Sequence, residues 1–403
     1  MAVNDFTPQD AYTLINAVAK QATGKATLTA TDTSSFVSVG ETLLRTGVEN
    51  TLKALSTVFA YTYFSNEKYT GKLATIEQTS GQWGAITREI TALTQEAEAS
   101  QDWNTDLNPN QLNDGNSVDM YKINKPKTIE LKFYGTKVLQ RHITRFRDQI
   151  AQAFTSEGEF MRFYEAVMIE FRNDIEMDRE SGRRATMLNY MAGLFSMDEK
   201  VDLTAEFNKK NGTKYKRNQL LTTYKKDFMA FVIARIKLDS EKLTERSAKY
   251  HANIIGYNPI MRFTRKENQR LLMLSEFWID STTQVLPWVF DDKELRIENK
   301  ELVNWWQSAD TPSAIQITPS ILDVTTGRAK QAEKEVNLPY VLGVLYDRRA
   351  MGVQYQFDYA DTTPFNSAGG YWNMYVHSRK NYWNNYTHNG ILYVMGEGDI
   401  SNG

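Results

Sequence analysis

The sequence lacks cysteine altogether, and this absence excludes several kinds of chemistry at once. Without a thiol the chain can form no disulfide, no thiolate nucleophile and no cysteine-ligated zinc or iron–sulfur site. Histidine is nearly as scarce: His142, His251, His377 and His388 have no recognised metal-ligand spacing along the chain. The sequence therefore predicts no metal and no cofactor, and stability must come from packing or from association between subunits.

Catalytic and nucleotide-binding motifs are missing too. The sequence contains no G-x-S-x-G, no P-loop and no G-x-G-x-x-G pattern. Glu276 and Asp280 are four residues apart on a predicted helix, with Trp278 and Trp288 nearby, and could form the paired carboxylates that glycosidases use. Such pairs arise by chance among 49 acidic residues. A carbohydrate-active hydrolase is therefore a secondary alternative, and the sequence predicts a protein that is not an enzyme.

Long apolar runs and a strong charge imbalance are also absent. No run approaches about 18 consecutive apolar residues, and Met1–Asp5 does not begin a signal peptide, so neither a membrane span nor secretion is expected. The net charge of −2 excludes a strongly basic nucleic-acid coat. With 403 residues, of which 41% are hydrophobic, the chain is expected to be globular with two or three domains.

Charge is segregated along the chain even though the total is balanced. Between Arg88 and Lys122 there is no lysine or arginine, whereas seven acids occur there. Between Phe207 and Lys226 there are seven basic residues and no acid. Long connections with little core of their own are usually functional or disordered. We therefore expect an acidic excursion in the first window, and in the second either a phosphate-binding surface or a solvated charged loop.

The stretch that follows the excursion has the clearest periodicity. Thr128 to Phe133 is typical of a strand and is followed by a basic segment, Arg141–Arg147. Ser156 and Glu159 then form a capping box, and apolar residues follow at spacings of three and four. A helix from Ser156 to Phe195 would span about 60 Å. Its single apolar stripe predicts a long structural helix with one buried face.

The two ends of the chain have different patterns. Thr7 and Pro8 begin a predicted helix that Gly24 ends, and residues 25–40, rich in Thr, Ser and Ala, suggest an extended arm. Near the other end, Tyr340–Tyr346 is a nearly continuous apolar run, typical of a buried central strand. Three more strands are predicted from alternation or apolar runs: Val353–Tyr359, Tyr371–His377 and Ile391–Met395.

These elements resemble, in their order and partly in their amino-acid sequence, the major capsid proteins of tailed bacteriophages. The likeness is carried by the strand, basic turn and short helix of Thr128–Phe154, by the long helix Ser156–Tyr190 and by Asn189–Phe195. It continues in Leu338–Asp347 and in the Tyr-Trp-Asn-rich segment Gly370–His377. The small short-tailed phages of the phi-29 type are the most similar group.

The resemblance implies an α+β fold of the Hong Kong 97 type. It implies an N-terminal arm at 1–55 and an extended (E) loop at 56–127. It also implies a peripheral (P) domain with the spine helix at 128–196, an inserted axial (A) domain at 197–335, and return strands of the P domain at 336–403. The P domain would combine the spine helix with an antiparallel sheet.

The same resemblance implies a function and a set of partners. The chain would be the major head protein, assembling in the bacterial host cytoplasm into pentamers and hexamers of an icosahedral or prolate virion capsid. Its partners would be other copies of itself, a separate scaffolding protein, a portal protein at one vertex and packaged double-stranded DNA held non-specifically on the inner face. No membrane partner and no covalent crosslink are expected. A portal or tail component is the structural alternative, although a portal would be dominated by long helices.

Charge segregation adds one prediction about contacts between subunits. The acidic loop would dock on the basic surface of a neighbouring subunit, since opposed patches steer docking. The candidates are Glu89, Glu96, Glu98, Asp102 and Asp106 on the loop, and Arg141, Arg145, Arg147, Lys209 and Lys210 on the neighbour.

Overall fold

The computed structural model describes residues 8–23, 29–46, 72–78, 87–95, 117, 119–125, 127–133, 135–146, 170–284 and 300–398. Contacts divide the chain into two units. Unit 1 comprises Met1–Ala85, Gly135–Ala185 and Val353–Tyr382, and unit 2 comprises Ile86–Tyr134, Thr186–Gly352 and Trp383–Gly403. Among the described helices, none is both long enough and apolar enough to cross a membrane.

The described helices and strands alternate irregularly along the chain. The α-helices are α1 (Pro8–Thr23), α2 (Thr33–Thr46), α3 (Glu170–Ser196), α4 (Leu203–Asn211), α5 (Arg217–Leu221), α6 (Lys225–Lys242) and α7 (Ser275–Gln284). The first strands are β1 (Glu77–Gln78), β2 (Thr87–Ala92), β3 (Thr128–Phe133), β4 (Thr136–Phe146), β5 (Lys200–Asp202), β6 (Gln269–Leu274) and β7 (Lys300–Val303). The later strands are β8 (Ile315–Ile317), β9 (Ser320–Asp323), β10 (Arg328–Gln331), β11 (Val336–Leu338), β12 (Val341–Asp347), β13 (Met351–Thr362), β14 (Tyr371–Asn384) and β15 (Gly390–Val394).

Unit 1 contains a four-stranded sheet in the order β1-β13-β14-β4. Strand β14 pairs antiparallel with β4 over eleven residue pairs, from Tyr371↔Phe146 to Asn381↔Thr136. Burial alternates along β14 because successive side chains point to opposite faces. On one face Met374 and Val376 pack against Phe171 and Ile175 of α3. The amphipathic α3 therefore covers one side of this sheet.

Unit 2 contains a five-stranded sheet in the order β5-β15-β12-β6-β7. Every residue of β12 is buried, as its continuous apolar run predicts, because β12 lies between β15 and β6. Helices α4, α6 and α7 contribute Phe207, Phe228, Val232 and Phe277 to the core that includes Leu345. This packing makes the apolar β12 the centre of unit 2.

Part of the N-terminal segment is helical where an extended arm was expected. The prediction for 25–40 is wrong from Thr33 onward, where α2 begins. The Asp32 carboxylate accepts from the Ser35 amide at 2.7 Å, while the Ser35 hydroxyl accepts from the Asp32 amide at 3.0 Å. These reciprocal bonds cap the helix, and Phe36 and Val39 are buried. The many Thr and Ser residues obscured this short apolar period. Helix α1 confirms the helix predicted near the N-terminus, while Thr7 and Gly24 lie outside the described residues.

The long helix and the terminal strands agree with the sequence where the structure describes them. Helix α3 covers Glu170–Ser196, and the strands β12, β13, β14 and β15 confirm the four predicted strands. The capping box at Ser156 lies outside the described residues. The basic segment was predicted as a turn, and this is wrong up to Phe146: Arg141 and Arg145 lie within β4. Arg141, Ile143 and Arg145 are spaced two residues apart and share the face of β4 toward α3. Pairing with β14 therefore keeps these polar residues in a strand.

The return strands predicted for 336–403 divide between the two units. Strands β12 and β15 pair with β5 and β6, which come from the middle block of the chain. Strand β14, by contrast, pairs with β4 in unit 1. The names and boundaries of the capsid domains stay predictions.

Candidate functional site

A buried polar turn joins β14 to β15 in unit 2. This turn, residues 385–389, has the sequence Asn-Tyr-Thr-His-Asn, and each of its residues is at most 5% exposed. Buried polar groups must be paired, because an unpaired group bears the full cost of leaving water. The partners of this turn therefore identify which parts of the chain it holds in place.

Glu89 of β2 is the main partner of the turn. One carboxylate oxygen accepts from His388 Nε2 at 2.9 Å and from Arg262 at 3.0 Å. The other accepts from His388 Nε2 at 3.0 Å and from Asn385 Nδ2 at 2.5 Å. Both oxygens of Glu89 are thus used within the chain. We call Glu89, Arg262, Asn385 and His388 the Glu89 cluster.

Electrostatics within the cluster favour the ionised acid. Burial alone would raise the pKa of Glu89, but the hydrogen bond and charge of His388, together with Arg262, lower that pKa to about 2. A carboxylate that stays ionised down to such acidity forms charge-assisted hydrogen bonds at every physiological pH.

The other side of the turn is held by a second polar network. Asn389 contacts His251 Nδ1 at 2.9 Å and donates to the Thr264 hydroxyl at 3.1 Å. Thr264 donates in turn to Asp347 at 2.9 Å, and Arg349 donates twice to the same carboxylate. Burial would raise the pKa of Asp347, but the hydrogen bond from Arg349 and the neighbouring charges lower it below its usual value. The turn is therefore bonded on both sides.

The ribbon formed by β2 and β3 is attached to the rest of unit 2 at a second point. Asn258 donates to the Thr94 carbonyl at 2.9 Å, and the Thr94 hydroxyl donates to the Pro259 carbonyl at 3.2 Å. Arg262 also donates to the Thr91 hydroxyl at 3.0 Å. Because β2 and β3 pair antiparallel, the connection between them leaves and returns at the same end of the ribbon. The base of the acidic excursion is therefore fixed.

The predicted acidic contacts fall partly within this site. Glu89 already binds Arg262, Asn385 and His388 in its own chain, as described above. Glu96, Glu98, Asp102 and Asp106 lie outside the described residues, so their contacts between subunits stay predictions.

Two of the predicted basic contacts are engaged within unit 1. Arg141 donates to Asp174 and Asp178 of α3, both at 3.0 Å through its terminal nitrogens. Arg145 is 4% exposed, and burial lowers its pKa to about 10. Arg147 lies outside the described residues. Arg141 therefore joins the sheet to α3, whereas Arg145 donates to the Met374 sulfur on β14 at 3.8 Å.

Lys209 and Lys210 have a different setting. Both are exposed near the end of α4, and Lys210 lies 5.5 Å from the centre of the Phe231 ring. Among the described residues neither forms an ion pair. Of the described candidate bases, these two lysines are the ones that present their charge to solvent.

The carboxylate pair considered for hydrolysis does not form a catalytic arrangement among the described residues. Asp280 binds Lys225, whereas Glu276 is exposed to solvent. Trp288 lies outside the described residues. Asp280 thus has a structural partner rather than a free catalytic position.

Arg183 joins α3 to residues 72–78 within unit 1. It is 2% exposed and donates to Glu176 at 2.8 Å, to Glu77 at 2.5 Å and to the Lys72 carbonyl at 3.2 Å. The planar guanidinium supplies several fixed donors that an ammonium group cannot reproduce.

We expect Arg183→Lys to lower the free energy of unfolding by about 1–2 kcal/mol, since the charge stays but the fork of donors is lost. Urea unfolding and hydrogen exchange at residues 72–78 would measure this. Arg184→Lys is the matched control, because Arg184 pairs with Glu180 one turn away on the helix, and we expect less than about 0.5 kcal/mol. Equal losses in the two variants would contradict the role of Arg183.

Sequence reasoning missed Arg262, Asn385 and His388. The only signal was a run of polar residues immediately before an apolar strand, where a solvated turn is the usual interpretation. The partners are about 170 and 300 residues from Glu89 along the chain, and pairing over such separations depends on the tertiary fold.

Comparison with known proteins identifies what the chain is similar to. The model of the Phi29-like phage major capsid protein family matches residues 15–394. A chain from the capsid structure of Staphylococcus phage Andhra is 11% identical, with a TM-score of 0.52, and the match covers 82% of this chain and 86% of that one. No curated protein sequence gives a significant match.

A second solved structure supports the same fold. A chain from the structure of the head fiber and inner core protein of native bacteriophage P68 is 13% identical, with a TM-score of 0.52. The match covers 82% of this chain and 88% of that chain. At such low identity the likeness concerns the fold.

Proposed function

Because the chain belongs to the Phi29-like phage major capsid protein family, we propose how this subunit makes its contacts in the shell. The protein is a major capsid protein with the α+β fold of the Hong Kong 97 type, and it self-assembles into the virion capsid. We propose that it does so through pentamers and hexamers in the bacterial host cytoplasm. A separate scaffolding protein would guide assembly, and a portal protein would occupy one vertex.

The proposal includes the genome and excludes catalysis. The near-neutral net charge suits an inner face that meets packaged double-stranded DNA without trapping it, since a strongly basic lining would hold DNA through counterion release. We propose that this contact is non-specific. We propose that the protein acts without catalytic activity, as membership of a structural capsid protein family suggests. Because the chain belongs to a major capsid protein family, this function is preferred to the portal, tail and hydrolase alternatives.

One observation carries the proposed contact between subunits: the fixed base of the acidic excursion. The Glu89 cluster and the Thr94 contacts hold the ribbon, so the connection between β2 and β3 starts from a defined position. Its residues 93–121 contain Glu96, Glu98, Asp102 and Asp106 and no lysine or arginine. An acidic stretch on a rigid base can be steered to a complementary neighbour.

Among the described candidate bases, the exposed Lys209 and Lys210 are the ones available to complement these acids. Arg141 and Arg145 bind within unit 1, and the charge of Arg141 is already balanced by two aspartates. The lysines, in contrast, present unbalanced charge to solvent. We therefore expect the acidic excursion of one subunit to dock beside α4 of a neighbour.

We expect Lys209→Glu combined with Lys210→Glu to slow shell assembly roughly tenfold at low salt, because attraction turns into repulsion during encounter. The difference should shrink at high salt, where charges are screened. Light scattering during assembly would measure the rate, and electron microscopy would identify the shells.

The matched control reverses two exposed bases elsewhere in unit 2, Lys249→Glu with Arg265→Glu, and should leave the rate unchanged. A charge swap that adds Glu96→Lys and Glu98→Lys to the lysine reversals should restore assembly. Unchanged kinetics at every salt concentration for the lysine reversals would overturn the contact. Failure of the unaltered chain to form shells would contradict the capsid function itself.

A further inference from the structure

Two asparagine–glycine pairs among the described residues lie in opposite surroundings: Asn211–Gly212 at the end of α4, and Asn389–Gly390 where β15 begins. Asparagine is chemically labile, most of all before glycine, which has no side chain to obstruct attack by its backbone nitrogen. Whether deamidation occurs in a folded protein depends on how firmly the structure holds the two residues. The two pairs therefore allow a comparison within one chain.

The buried pair is held at both of its reacting groups. Asn389 is 1% exposed, its side-chain oxygen lies 2.9 Å from His251 Nδ1, and its side-chain nitrogen donates to the Thr264 hydroxyl at 3.1 Å. The Gly390 amide donates to the Tyr250 carbonyl at 2.8 Å. Attack of the Gly390 nitrogen on the Asn389 side chain would break these bonds inside unit 2. We therefore expect this pair to be inert.

The pair at the end of α4 is exposed. Both Asn211 and Gly212 are open to solvent, and among the described residues nothing beyond the chain neighbours lies within 4 Å of where a Cβ on Gly212 would be. The Asn211 side chain donates to the Phe207 carbonyl at 3.1 Å. Gly212 has a φ of 64°, and its amide donates to the Asn208 carbonyl, as in a common helix C-cap. Helix ends fray, so these bonds open far more often than those of a buried strand.

The charge around the exposed pair also favours the reaction. Deamidation requires the Gly212 amide nitrogen to lose its proton, and the intermediate carries negative charge. Lys209, Lys210 and Lys214 are exposed within three residues of Asn211, and cationic groups stabilise a developing negative charge. The sequence has no acid between 207 and 226 that would oppose this effect locally.

We propose that Asn211–Gly212 is a site of spontaneous deamidation, which removes positive charge from the end of α4. The Gly212 nitrogen attacks Asn211 Cγ and forms a new C–N bond. The bond from Cγ to the side-chain nitrogen then breaks, and this nitrogen leaves as ammonia with the proton from the amide. Water opens the resulting succinimide to aspartate or isoaspartate. Nothing is oxidised or reduced, and the side chain gains a negative charge.

The new charge lies beside the two lysines that would bind a neighbouring subunit. This consequence rests on the proposed function, whereas the reaction itself does not. A carboxylate next to Lys209 and Lys210 would weaken their attraction for the acidic excursion of a neighbour. Isoaspartate would in addition lengthen the backbone at the end of α4. An unassembled subunit would therefore lose its competence for assembly as it ages.

Peptide mass spectrometry of the unassembled subunit, incubated at mildly alkaline pH, tests the reaction directly. Deamidation raises the mass of a peptide by about 1 Da. We expect conversion at Asn211 to be at least about tenfold faster than at Asn389, because only the first pair opens without unfolding of the core. The Asn389 peptide is the internal control, since it contains the same reactive pair. Equal rates at the two positions, or faster conversion of Asn389, would overturn the proposal.

Two variants separate the effect of the structure from that of the sequence. Asn211→Gln keeps the amide but requires a larger ring that forms more slowly, so position 211 should stay unconverted. Asn208 is 1% exposed, and its side chain binds Thr213 and Tyr215. Asn208→Ala should therefore loosen the loop and raise the rate at Asn211 by about threefold or more. Conversion of the glutamine as fast as of Asn211, or no acceleration in Asn208→Ala, would contradict the proposed reaction at the helix end.

Asn211→Asp introduces the charge of the product without incubation. At low salt we expect it to slow shell assembly by about twofold, with no difference at high salt. Asn337→Asp makes the same chemical change at an exposed position of β11 and should leave the rate unchanged. Light scattering would measure both rates. An unchanged rate for Asn211→Asp at low salt would overturn the effect on docking. Failure of the unaltered chain to form shells would contradict the capsid function, but the mass measurement on the subunit would still decide the reaction.

Discussion

Replacing Glu89 with glutamine is expected to lower the free energy of unfolding by about 3 kcal/mol. Glutamine keeps one carbonyl oxygen as an acceptor, but it loses the negative charge of the carboxylate that Arg262 and His388 contact. Arg262 is mostly buried and His388 is 1% exposed. Their donors would then lack the second carboxylate oxygen, and the Arg262 charge would have no counter-charge in the cluster.

The loss should be local as well as global. Hydrogen exchange should accelerate at β2 and at the 385–389 turn, because the cluster joins these two segments. Urea unfolding of the unassembled subunit measures the free energy. Glu130→Gln on the paired strand β3 is the control: Glu130 contacts Arg88 and Lys132 in exposed positions, and we expect less than about 0.5 kcal/mol. Comparable losses for the two variants would contradict the importance of the cluster.

The same cluster sets a dependence on pH. The pKa of Glu89 is about 2 in the folded chain against an ordinary value of 4.5, so the unfolded chain binds the proton more readily. The stabilisation is therefore complete above about pH 4.5 and is lost as the pH falls toward about 2. The difference between the unaltered chain and Glu89→Gln should shrink across this window. A difference that stays constant down to pH 2 would contradict the electrostatic account.

Much of the fold follows from local patterns in the sequence. The continuous apolar run of β12 predicts a central strand, because only a strand between two others can bury both faces. The alternation in β14 predicts a strand with one covered face. Where α2 was missed, the competing signal was composition: Ser and Thr around Phe36 resemble an extended segment until the cap at Asp32 is recognised.

The pairing of distant segments could not be predicted in the same way. Arg141 and Arg145 were interpreted as surface charges, yet the register with β14 turns both toward α3. Glu89 was grouped with the other acids of its window because nothing local distinguishes it. Its partners are supplied by two other parts of unit 2, and the free energy of each contact depends on that arrangement.

The 385–389 turn is also held in place by the aromatic packing of one of its side chains. Tyr386 of the 385–389 turn stacks on Tyr190, with 5.5 Å between the ring centroids. Its hydroxyl donates to the Ser320 carbonyl at 2.9 Å and accepts from Asn189 Nδ2 at 3.2 Å. The ring is thus fixed at both its face and its tip.

Gly193→Ala in α3 is the second change with a large expected effect. A Cβ at position 193 would lie 2.1 Å from the Tyr386 hydroxyl oxygen and 2.5 Å from its ring carbon Cζ, well inside contact distance. In most helix interiors this substitution stabilises by about 1 kcal/mol. Here we expect it to destabilise unit 2 by about 3 kcal/mol, because the fixed ring of Tyr386 cannot move aside without losing its hydrogen bonds.

Gly→Ala usually raises the free energy of unfolding in a helix interior, so a decrease here would be a specific result. Ser181→Ala, at an exposed position of the same helix, should be neutral or stabilising by a few tenths of a kcal/mol. Combining Gly193→Ala with Tyr386→Ala should cost less than the sum of the two single changes, since removing the ring removes the clash. Additive losses in that double-mutant cycle, measured by urea unfolding, would mean that the ring does not limit position 193. A coupled result would show that glycine at position 193 leaves the space that the Tyr386 ring occupies.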